Sequence, residues 1–140
     1  MFVTTANAQP KKVWTREVNN PIAPGGGKDW ATYMYEDFDG NFVAAGFTSA
    51  SGANVVPALY KFDKNGNPLW SNPVTLSTCP GYTNYGTVGS IIQKYSGGIW
   101  GNYIIITKEK PCAGGVDGTS VYEIDKNTGQ VLVSRLNIFS

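Results

Sequence analysis

The chain has 140 residues, 41% of them hydrophobic and 15% charged, which is the balance of a folded globular protein rather than a disordered one. Eleven basic residues stand against ten acidic ones, so no net field argues for nucleic acid or an anionic membrane surface as partner. Seventeen glycines, eight prolines and 13% aromatic residues predict many short strands joined by tight turns, and no apolar run approaches the ~20 residues of a membrane-spanning helix.

Taken in chain order, Met1 to Gln9 carry no charge, and Ala6-Asn7-Ala8 has the small-x-small spacing of a signal-peptidase site. Residues 1–12 are therefore predicted to be a signal-peptide remnant or a disordered extension, and the protein is expected to be secreted or held at the cell surface. Val13 to Val18 predict one lone strand carrying Trp14. A first unit over about 29–76 opens with strands at Trp30 to Glu36 and Phe42 to Thr48 around the turn Asp39-Gly40. The small residues of the second strand imply close packing on both of its faces. A hairpin follows, with Ala58 to Phe62 leading through Asp63-Lys64-Asn65-Gly66-Asn67 into a strand that carries Trp70. A second unit over about 88–136 has strands at Ser90 to Tyr95 and Tyr103 to Thr107, joined either at Ser96-Gly97-Gly98 or at Gly101-Asn102. It ends in the hairpin Ser120 to Ser134.

The two hairpins are copies. Ala58-Leu59-Tyr60-Lys61-Phe62-Asp63-Lys64-Asn65-Gly66 aligns with Ser120-Val121-Tyr122-Glu123-Ile124-Asp125-Lys126-Asn127-Thr128-Gly129, at an offset of about sixty residues. The predicted fold is all-β: a lone D strand, then two four-stranded antiparallel units, each written ABCD, which is β-propeller grammar. Val121 to Leu132, with Asp125-Lys126-Asn127-Thr128-Gly129, resembles the repeat of quinoprotein-type bacterial propellers. Asp63 to Trp70 resembles secreted repeats that end Asp-x-x-Gly-Asn-x-x-Trp. The resemblance implies blades, with Trp14 and Trp70 as residues that dock one blade on the next. It does not bring quinone chemistry, because Val133 stands where that repeat has its docking Trp and no quinone or metal pattern is present.

Long connections fall on the face opposite the tight C–D turns, and long loops on a rigid scaffold are where binding usually resides. Two of them hold Cys79 and Cys112, for which export predicts a disulfide worth about 3–4 kcal/mol on the chain-entropy account. Tyr82, Asn84 and Tyr85 sit beside Cys79 and offer amphipathic rings and an amide to a sugar or peptide, and Trp30 is placed to line the same face. Asp37-Phe38-Asp39-Gly40-Asn41 and Asp63 to Asn67 hold oxygens at alternate positions, as calcium loops do. Their spacing and the missing bidentate Glu leave turn chemistry as the main reading and calcium as a minor one. Two cysteines without histidine complete no zinc shell, so no metal or other cofactor is assigned, and the absence of histidine also removes Ser-His-Asp and Cys-His catalysis.

Two blades leave two sheet faces open, whereas a ring normally closes with four to eight. Blades of about sixty residues favour a piece of a larger propeller over self-association into a closed ring, the route taken by compact two-bladed bacterial lectins, which these units resemble in architecture alone. The expected function is an extracellular or cell-surface binding module for a glycan or a protein. The competing expectation is a scaffold part of a propeller enzyme, hydrolase or quinoprotein-like oxidoreductase, whose catalytic residues lie outside this chain.

Overall fold

A computed structural model describes residues 28–50, 54–71, 73–76, 87–109 and 118–139. Eight strands run in chain order: β1 (Lys28–Glu36), β2 (Phe42–Ala50), β3 (Asn54–Phe62), β4 (Val74–Thr75), β5 (Thr87–Ser96), β6 (Ile99–Glu109), β7 (Gly118–Ile124) and β8 (Val131–Phe139). They form two four-stranded antiparallel sheets, β1-β2-β3-β4 and β5-β6-β7-β8, each strand beside its sequence neighbour. Among the described residues there is no helix, and neither sheet closes into a barrel. Trp14, Cys79, Tyr82, Asn84, Tyr85 and Cys112 lie outside the described residues.

Three turns share one design. Asp37, Asp63 and Asp125 each accept backbone N–H bonds through Oδ1: from Asp39 and Asn41, from Asn65 and Asn67, and from Asn127 and Thr128, all at 2.8–2.9 Å. A side-chain oxygen that satisfies the turn's own amides explains why aspartate opens each one. Of the two candidate links between β5 and β6, the chain uses Gly97-Gly98, with φ of 61° and 82° and Ser96 paired to Ile99. Two positive φ values in a two-residue loop are what glycine supplies without strain.

The hairpin after β3 departs from expectation. The segment around Trp70 contributes only an isolated bridge between Phe62 and Pro68, and the fourth place in the sheet goes to the two-residue β4. Pro68 and Pro73 have no N–H to give a ladder, so pairing does not extend past the single bridge at Pro68 and resumes only after Pro73. Trp70, freed from the sheet, turns into the space between the sheets, where it is 4% exposed.

The core lies between the two sheets. Val43, Ala45 and Leu59 from the first meet Ile91, Tyr103, Ile105, Tyr122 and Ile124 from the second, with Trp70 and Leu76 filling the margin. Strand β2 is closely packed on both faces, Val43, Ala44, Ala45 and Gly46 all being buried. Gly46 is required there: β1 bulges between Ala31 and Tyr33, and a Cβ at position 46 would lie 1.5 Å from the Trp30 carbonyl oxygen. The sheets do not present equivalent faces to each other. In the repeat alignment Leu59 and Lys61 correspond to Val121 and Glu123, which face away from the core, while inward Tyr122 and Ile124 correspond to Tyr60 and Phe62. The sheets therefore stack head to tail, like consecutive units of a repeat array rather than halves of a symmetric sandwich.

Candidate functional site

At the end of the molecule where the tight turns lie, the sheets are joined by a buried polar network. Asp37 is 3% exposed and its Oδ2 accepts a 2.6 Å hydrogen bond from the Tyr103 hydroxyl of the other sheet. The Lys61 ammonium stands 3.2 Å from the same oxygen, and Asn41 Nδ2 donates to it at 3.4 Å. Lys61 also donates to the Lys126 carbonyl at 2.8 Å and lies 5.2 Å from the centre of the Tyr103 ring. Lysine reaches this place because it follows Leu59 at the inward parity of β3, and the ion pair with Asp37 makes its burial tolerable.

Burial works against ionisation of Asp37, but the Tyr103 hydroxyl, the Asn41 amide and Lys61 together outweigh it and hold the carboxyl below its ordinary range. Burial, and then the Asp37 carboxylate, push the Tyr103 phenol far above its ordinary value. The hydroxyl therefore remains a proton donor at any physiological pH. Every group in the network has a partner, and each bond joins the sheets or fixes a turn. Its chemistry is that of a clamp.

Trp70 reinforces the clamp. Its Nε1 donates to the Lys126 carbonyl at 3.3 Å, and its ring meets Tyr103 edge-on at 6.1 Å. Gly129, at φ 76°, sits against that ring, where a Cβ would come within 3.0 Å of it. A tryptophan that follows β3 thus rests on the β7–β8 turn of the second sheet.

Above the network lies a surface of rings. Phe38, in the β1–β2 turn, stacks on Trp100 of β6 with centroids 3.3 Å apart and planes within 4°. Tyr95 of β5 meets Trp100 at 4.5 Å and 45°. Phe38 and Tyr95, both in contact with Trp100, are 59% and 58% exposed. The platform is held from below: Gln93, itself buried, accepts from the Phe38 amide at 3.0 Å and donates to the Gly101 carbonyl at 3.1 Å. Lys126 donates both to Asp39 at 2.9 Å and to the Trp100 carbonyl at 3.1 Å. Asn102 and Glu123 are joined at 2.9 Å along one side. The rings are thus bordered by a carboxylate, an ammonium and an amide.

Of the residues proposed from sequence, Trp30 is half exposed on β1 and meets Phe47 edge-on at 6.4 Å, with none of the ring platform beside it. Asp37 and Asp63 hold their turns, and among the described residues no group of three or more His, Cys, Asp or Glu could bind a metal ion. The platform and the network were not visible in sequence because each draws on both sheets. The one local signal was Lys61 at an inward position. Comparison with known protein families, with curated proteins and with solved structures finds no match.

Proposed function

We propose that this chain is a secreted or cell-surface binding module built of two propeller-type blades, and that it holds a saccharide on the platform of Phe38, Trp100 and Tyr95. The exposed stack of rings is the observation that carries the reading. Flat aromatic faces suit the C–H face of a sugar ring, and the bordering Asp39, Lys126 and Asn102 offer donors and acceptors to its hydroxyls. The buried supports under Phe38 and Trp100 mean that little ordering is needed on binding, which favours affinity. The head-to-tail stacking of the sheets supports the propeller part of the reading, and Ala6-Asn7-Ala8 supports export.

The test is a glycan array with the intact chain, followed by titration of any positive sugar against Tyr95→Ala. Tyr95 is largely exposed and its loss leaves the clamp intact, so the fold is retained. Affinity is expected to fall about tenfold, corresponding to about 1.4 kcal/mol of stacking. Binding that survives Tyr95→Ala but vanishes in Tyr82→Ala or Tyr85→Ala would move the site to the long-loop face. An array with no positive sugar would refute the saccharide reading.

A further inference from the structure

Trp70 sits in a cradle whose parts all recur in the first sheet. It is held by Gly129, the Lys126 carbonyl and the Tyr103 ring. In the repeat alignment Gly129 and Lys126 correspond to Gly66 and Lys64. Tyr103 corresponds to Phe42, because Tyr103 pairs with Ile124 and Phe42 pairs with its counterpart, Phe62. Since the sheets stack head to tail, the face of the second sheet that receives Trp70 is equivalent to the outer face of the first. The first sheet thus carries there a receiving surface for a tryptophan that precedes it in the chain.

Around the Gly66 turn that surface is covered. Gly66 is buried although Lys64, Asn65 and Asn67 beside it are exposed, the pattern of Gly129 between exposed Thr128 and Gln130. Gly40, in the third turn of this design, has only open space where a Cβ would stand. On the same outer face Ala44, Ala58 and Phe62 are buried, while Met34 at the β1 edge stays open. One tryptophan is placed in the chain to account for this. Val13-Trp14-Thr15 aligns with Leu69-Trp70-Ser71, and the run from Trp14 to the start of β1 at Lys28 is nearly as long as that from Trp70 to the start of β5 at Thr87. Trp14 itself lies outside the described residues. We infer that the outer face of the first sheet is the docking surface for Trp14 of the same chain, its indole seated on the Gly66 turn, donating from Nε1 to the Lys64 carbonyl and meeting the Phe42 ring.

The experiment is nuclear magnetic resonance of the intact chain, with the Trp70–Gly129 contact as internal standard. The expected result is a nuclear Overhauser contact between the Trp14 indole and the Gly66 α-protons, which needs no variant. A ring-current shift of those protons is expected to disappear in Trp14→Leu, while the Gly129 protons keep theirs. A chain in which Trp70 touches Gly129 but Trp14 does not touch Gly66 overturns the inference. Labelled Trp14→Leu mixed with excess unlabelled wild type tells which copy supplies the ring. The Gly66 signals are expected to stay unshifted in the mixture, and their return to the wild-type position would give the site to a second copy and overturn docking within one chain. Unfolding curves add a cycle. Gly66→Ala should cost more than Gly40→Ala, at similar φ of 84° and 78°, and the excess should vanish when both are made in Trp14→Leu. An excess that persists there overturns the inference as well.

Discussion

Lys61→Met with Asp37→Asn is the most informative pair of changes. In the folded chain the Lys61 and Asp37 side chains are 5% and 0% exposed and 3.2 Å apart, so removing either leaves the other as a buried charge without its counter-ion. A loss of that kind costs about 3–5 kcal/mol. For a chain of this size that corresponds to a fall in melting temperature of about 10–20 °C. Asparagine at 37 keeps an Oδ1 for the Asp39 and Asn41 amides, so Asp37→Asn spares the turn while removing the charge. The double variant has no uncompensated charge and is expected to recover most of the loss, lying within about 1 kcal/mol of wild type. Urea unfolding of the four proteins gives the cycle. Single variants that cost less than about 1 kcal/mol, or a double variant whose loss equals their sum, would show that the ion pair does not stabilise the buried network.

Further outcomes follow from the same geometry. Tyr103→Phe removes the 2.6 Å bond to a buried carboxylate and is expected to cost about 1.5–3 kcal/mol, read by the same unfolding curve. Because the Asp37 carboxyl is held below its ordinary 3.8, its contribution is complete above the unfolded value and disappears as pH falls through the folded one. Acid titration of stability should therefore be shallower below about pH 4 for Asp37→Asn than for wild type, and equal slopes would contradict this. Gly129→Ala should cost more than Gly40→Ala by about 1–2 kcal/mol: both glycines have positive φ, but only the first meets the Trp70 ring, while the second has open space around it. Gly46→Ala, forced against the Trp30 carbonyl, should cost about 3 kcal/mol, measurable as lost folded yield or a lowered midpoint.

What the sequence disclosed was local. Aspartate followed by glycine marked three turns, alternation marked the strands between them, and the copied hairpins set the sheet count, because each of these follows from bonds within a few residues. The strand expected at Trp70 fails for an equally local reason, the two prolines that flank it, which the repeat does not reveal. The site was less legible. Asp37-Phe38-Asp39-Gly40-Asn41 and Asp63-Lys64-Asn65-Gly66-Asn67 are near twins in sequence, yet one aspartate is sealed between sheets and the other stands in a turn whose hydrogen bonds are exposed. Only the packing of one sheet on the other distinguishes them. Likewise nothing local in the sequence marks Phe38 and Trp100, and they become a platform only when the β1–β2 turn meets β6.

The clamp of Asp37, Lys61 and Tyr103 has a bearing on the ring surface above it. Apolar layers can slide past one another by a small step at little energetic cost, since dispersion is indifferent to direction, whereas a short hydrogen bond to a buried carboxylate is lost within an ångström. Phe38 belongs to one sheet, Trp100 and Tyr95 to the other. The relative placement of the three rings is therefore governed in large part by polar atoms that lie beneath the exposed surface. Damage to the clamp should scramble the platform before it unfolds the chain.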